Sequence, residues 1–116
     1  MKCPAALLSL AVLALPAAAQ DHSHIHGASD PMIDYMAAMD GMMSSMKGMT
    51  SSGNPDADFL LMMIPHHQSA IDMARVELEH GTDPETRTIA QTIIDAQERE
   101  IGEMREMLER FGGDAP

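Results

Sequence analysis

The chain has 116 residues, a formal net charge of −11, thirteen methionines, one cysteine and no tryptophan. Its acidity disfavours nucleic acid and anionic lipid as partners, and its length suits one small domain and not two. A single cysteine, at position 3, leaves no disulfide framework and no thiolate metal cluster.

Residues 1–19 read as a cleavable signal peptide. Lys2 gives a short positive start, Ala5 to Leu15 form an uncharged apolar run, and Pro16 breaks it. Ala17-Ala18-Ala19 then offers the small residues that signal peptidase requires. The run falls short of the roughly 20 apolar residues needed to span a bilayer. No later stretch comes nearer. The expectation is a secreted or periplasmic protein with no membrane span in the mature chain. Cleavage discards Cys3 and leaves imidazole and thioether as the soft metal donors.

Residues 20–29 form a flexible His-rich arm carrying His22, His24 and His26. Alternating histidines on an acidic arm make a generic capture site for Cu(II), Ni(II) or Zn(II). A cut after Ala19 also makes His22 the third residue. The free amine, two backbone amides and that imidazole then give a square-planar site for Cu(II) or Ni(II). Cyclisation of Gln20 blocks it, and a merely solvated tail is the competing reading.

A helical domain is expected over residues 30–113, and the chain is all-α, with no alternating strand pattern. The first helix opens on Asp30 as N-cap with Pro31 behind it and runs to about Met49. Tyr35 and seven methionines (Met32, Met36, Met39, Met42, Met43, Met46 and Met49) share one arc of that helix. Ser51 to Pro55 is a connecting loop. The second helix starts near Asp56 and ends at His80, with Gly81 suited to a left-handed position after the last turn. Its wide apolar face holds Phe59, Leu60, Met62, Met63, Ile64, Ala70, Ile71, Met73, Ala74 and Leu78, and both His66 and His67 fall inside it. Pro65 lacks an amide hydrogen and is expected to kink this helix. The third helix is capped by Asp83, carries Pro84 at its first position, and stops at Gly112-Gly113. Ile89, Ala90, Ile93, Ile94, Ile101, Met104, Met107, Leu108 and Phe111 form its apolar arc, interrupted only by Gln97. A buried amide without a partner costs about 1–3 kcal/mol, so Gln97 demands one.

The chemistry concentrates in Met62-Met63-Ile64-Pro65-His66-His67. Met62 and His66 form one i, i+4 pair, with Met73 further along that stripe; Met63 and His67 form a second pair beside it. Imidazole mixed with thioether suits Cu(I) better than Zn(II) or Mg(II). If the third helix packs against this face it adds Gln97 and Met104, with Glu100 at the edge. Each feature has a plainer reading. Inward histidines can be hydrogen-bonded core residues, methionine fills cores that lack aromatics, and Gln97 can bond a histidine nitrogen rather than a metal. Glu77 and His80 have the Glu-x-x-His spacing of di-iron bundles, but those need two such motifs and further glutamates; His80 alone suits the negative end of its helix.

Asp58-Phe59 through Met73-Ala74, followed by Ala90-x-x-Ile93-Ile94-x-x-Gln97-x-x-Glu100-Ile101-x-x-Met104, resembles the bacterial domain of unknown function 305 family over about residues 30–111. The resemblance implies a ferritin-like helical fold, and some members, the CopM-like proteins, are exported copper binders. It implies Met62, Met63, His66, His67 and Met104 as ligand positions, with Gln97 and Glu100 beside them. Met107-Leu108 stands where many members have Trp-Leu, a departure that concerns packing. The single motif copy leaves a homodimer open as the way to close a full four-helix bundle.

The resulting expectation is an exported, non-catalytic protein that sequesters Cu(I) or hands it to a copper-exchange partner protein, with Cu(II) on the N-terminal arm. Two alternatives stand beside it. One is a helical interaction module whose Met and His only line a soft core, the first helix docking a partner. The other is a ferritin-like redox enzyme using Glu77, His80 and Glu100 across a dimer.

Overall fold

The computed structural model describes residues 30–112. The expected signal segment 1–19 and the arm bearing His22, His24 and His26 lie outside the described residues. Three helices follow one another: α1 (Pro31–Met46), α2 (Pro55–His80) and α3 (Pro84–Glu109). The protein is all-α, and among the described residues no helix is long and apolar enough to cross a membrane.

Each helix begins in the same way, with a short polar residue followed by proline. Asp30 Oδ1 accepts from the Met32 amide at 3.0 Å, and Asn54 Oδ1 from the Asp56 amide at 3.0 Å. Asp83 Oδ2 accepts from the Thr86 amide at 2.7 Å and from its hydroxyl at 2.7 Å. Proline at the first helical position lacks a donor that would have gone unpaired there. The Thr86 bonds hold the Asp83 carboxyl below its ordinary range. Asp58 is held down likewise, first by the Ser51 hydroxyl and then by Ser52, which ties the α1–α2 loop to the start of α2.

The helix ends correct two expectations. α1 stops at Met46 rather than Met49, because Lys47 is extended and Gly48 adopts a left-handed φ of +99°, which glycine takes without strain. Gly81 is not left-handed; its φ is −71° and ψ 145°. A Cβ there would lie 2.7 Å from the Glu77 carbonyl oxygen, so close approach, not handedness, calls for glycine. Arg87 of α3 then caps α2, its Nη1 donating to the carbonyls of Leu78 at 2.7 Å and Gly81 at 2.9 Å.

α2 is the central element. It packs against α3 on one side and α1 on the other, while α1 and α3 do not pack together. The core lies in the α2–α3 seam: Leu60, Ile64, Ile71 and Ala74 meet Ala90, Ile94, Ile101, Met104 and Leu108. Ile71 and Leu108 are the most completely enclosed. α1 contributes no buried residue. It is fastened by polar contacts, the Ser69 hydroxyl donating to the Ala38 carbonyl at 3.2 Å and the Tyr35 hydroxyl to Glu77 Oε2 at 3.1 Å. Burial and the Glu77 carboxylate raise the Tyr35 pKa. Pro65 is buried, and α2 continues as α-helix through it.

Candidate metal-binding site

Two contacts between the helices set the antiparallel register of α2 and α3: His67 on Glu100, and Arg87 on the α2 terminus beside the turn. That register brings Met63 level with Met104, one turn from the His67–Glu100 pair. Met104 is buried in the core, and Met63 packs against it half-buried. Gln97 lies one turn further along α3, half-buried.

The two histidines, expected on one buried face, are separated by the fold. His67 points into the α2–α3 seam with only 12% of its side chain exposed, whereas His66 is exposed. The physical reason is the position of the two seams on α2. They lie on nearly opposite sides of the helix, so residues between them remain uncovered on the broad apolar arc. Met62 shares the fate of His66, being 44% exposed. The two rings stand 6.3 Å apart between centroids at 59°. One ion shared by both would sit roughly 3 Å from each ring centre, given a nitrogen–metal distance of about 2 Å. The observed spacing is therefore at the outer limit for sharing.

His67 Nε2 lies 2.8 Å from Glu100 Oε2. An ionised carboxylate can only accept, so Nε2 carries the proton and a neutral ring keeps its lone pair on Nδ1. That Nδ1 is buried and has no hydrogen-bond partner among the described residues. A histidine whose one nitrogen donates to a carboxylate and whose other nitrogen is free is the usual second-sphere arrangement of a metal-binding imidazole. The residue bonding histidine is thus Glu100, which sequence reasoning set at the edge, and not Gln97. Gln97 leaves no enclosed, unpaired amide.

The remaining candidates fall elsewhere. Met73 lines an open groove with Tyr35, Ala70, Glu77, Ile89 and Ile93. It is six residues beyond His67, a rise of about 9 Å at 1.5 Å per residue. Glu77 accepts from Tyr35, and His80 Nε2 sits 3.3 Å from Asp34 Oδ2 without hydrogen-bond alignment. Both are about 15 Å or more along α2 from His67, and so from Glu100. Among the described residues, no three His, Asp or Glu side chains converge as a metal-binding group. What the fold assembles is a nitrogen and a carboxylate at one level with two thioethers a turn away.

Two residues that matter here escaped the sequence reading: Ser69, whose buried hydroxyl bonds α1, and Arg87, which caps α2. Glu100 was placed at the edge of the candidate site but not as the partner of His67; its signal is that it follows Gln97 by three residues on the seam side of α3.

The domain is an antiparallel helical pair, α2 and α3, with a third helix laid against α2. Residues 10–108 match the family described as domain of unknown function (DUF305), and the chain belongs to that family. The match reaches upstream of the helices into the segment read as a leader. A 54-residue stretch is 39% identical to an uncharacterized protein of Acanthamoeba polyphaga mimivirus, covering 47% of this chain and 36% of that protein. The chain therefore spans well under half the length of that relative.

Proposed function

We propose that this is an exported Cu(I)-binding protein that sequesters the ion or passes it to a partner protein, without catalysis. The observation that carries the reading is the buried, unpartnered Nδ1 of His67, with Nε2 tethered to Glu100. A closed-shell Cu(I) ion accepts imidazole and thioether readily and carboxylate poorly. His67 would supply the nitrogen, Met63 and Met104 the sulfur, and Glu100 would orient the ring. The exposed pair Met62 and His66 would act as an outer relay between solvent and the enclosed donors. Export is supported by the leader-like residues 1–19 and by a helical domain free of thiols.

Titration of the purified protein with Cu(I) against a chelator of known affinity tests this. His67→Ala is expected to abolish tight binding, His66→Ala to weaken it less, and His22→Ala to leave it intact. Tight binding that survives His67→Ala would overturn the assignment.

A helical interaction module is the second reading, favoured by α1. Its methionines at 32, 36, 39 and 43 are 46–62% exposed, which is a poor way to fill a core and a good way to meet a partner.

A further inference from the structure

The exposed large apolar side chains are not scattered. Met32, Met36, Met39 and Met43 recur along α1 at spacings of four, three and four residues, the seam repeat that a packed partner helix requires. Tyr35, flanked on the helix surface by Met32 and Met39, lines the same groove as Ile89 of α3. Ile89 is 60% exposed, and Met107, five helical turns on and in line with it, is 40% exposed. Phe59 of α2, 61% exposed, lies on the intervening strip of the central helix. Apart from Ile33, 63% exposed and off the methionine stripe of α1, the uncovered side chains named above thus sit on one side of a single layer of helices. The opposite groove is mixed, with Gln68, Asp72 and Arg105 beside Met42, Met49 and Ile64.

Domains are normally built of two packed layers, and the described residues form one. We propose that a second copy of this chain covers the apolar side, two-fold related, to make a two-layered bundle of six helices. Three observations select a copy of the same chain. The seam repeat calls for a helix as occupant, and α1 itself presents that repeat. Covering the side chains named above with their apolar neighbours removes on the order of 800 Å² per copy, the size of a standard specific interface. The groove at its centre is lined mostly by apolar side chains, as interface cores are, and its carboxylate, Glu77, is already bonded by the Tyr35 hydroxyl. Two acidic copies repel one another, and salt screens the part of that repulsion that acts over more than about 10 Å. The dimer therefore tightens as salt is added, whereas docking of a basic partner on an acidic protein would loosen. The inference does not use the copper reading.

Sedimentation equilibrium of the purified protein in EDTA, at micromolar concentration, is the test. The expected mass is twice that of the monomer, with association strengthened by salt. Met36→Glu/Met39→Glu is expected to return the monomer mass with helical circular dichroism retained, and Ile89→Glu, on the other rim, to do the same. His67→Ala is expected to leave the dimer intact, so loss of copper binding and loss of dimerisation are separable results. A monomer mass for the unaltered protein across the salt range would overturn the proposal. So would a dimer that persists in both folded glutamate variants.

Discussion

α3 and α1 both carry an apolar stripe, yet only one of them is buried. On α3, Ala90, Ile94, Ile101, Met104 and Leu108 sink against α2. On α1, a stripe of methionine no less regular buries nothing. The difference lies in what each helix uses for attachment. α3 meets α2 through branched aliphatic side chains that pack in few rotamers and exclude water. α1 meets it through Ala38 and Ser69 and the Tyr35–Glu77 bond, with Met42 and Met46 half-buried, and turns Met32, Met36, Met39 and Met43 outward. An amphipathic pattern identifies the side of a helix that wants cover; it does not identify what covers it.

This comparison can be broken by substitution. Leu108→Ala empties a fully enclosed site in the α2–α3 seam and is expected to cost about 2–5 kcal/mol of unfolding free energy in denaturant titrations. A loss below about 1 kcal/mol would mean that the seam is not the core. Glu100→Gln removes the carboxylate that accepts from His67. It is expected to lower Cu(I) affinity about 10–100-fold in chelator competition, while Met73→Leu leaves that affinity unchanged. Asp83→Ala removes the cap of α3 and is expected to lower the melting temperature at neutral pH by a few degrees. The Asp83 pKa is lower in the folded state than in the unfolded chain. Its stabilisation is therefore complete above the ordinary carboxylate range and is lost as pH falls through the folded-state value. The gap between wild type and variant should close in acid. The smallest effect belongs to α1: Met36→Ala, followed at dilutions where the chain is monomeric, is expected to change the unfolding free energy by about 0.5 kcal/mol or less.

Much of the fold was legible because its signals are local. Asp30-Pro31 and Asp83-Pro84 announce helix starts through groups only two or three residues away, and the isoleucines of α3 keep one period across the helix. The end of α1 was misplaced because a favourable apolar pattern continues to Met49 while the backbone has already turned at Gly48. The division of His66 from His67 was not legible. Consecutive residues on a helix differ by 100°, and which of two neighbours is enclosed depends on where α1 and α3 attach to α2. Two of those attachments rest on pairs far apart in sequence, His67 with Glu100 and Ser69 with Ala38. The donor residues themselves were visible as types at helical spacing. Their sorting into an enclosed set and an exposed set came from packing.

The central claim, that His67 offers a free Nδ1 to a soft metal, can be read directly from its ring nitrogens. Long-range proton–nitrogen NMR spectra of the histidine side chains, recorded before and after one equivalent of Cu(I), separate the two atoms. The account predicts that on adding Cu(I) the His67 Nδ1 resonance shifts while Nε2 keeps its proton. A His67 ring protonated on Nδ1, with neither nitrogen moved by Cu(I), would contradict it.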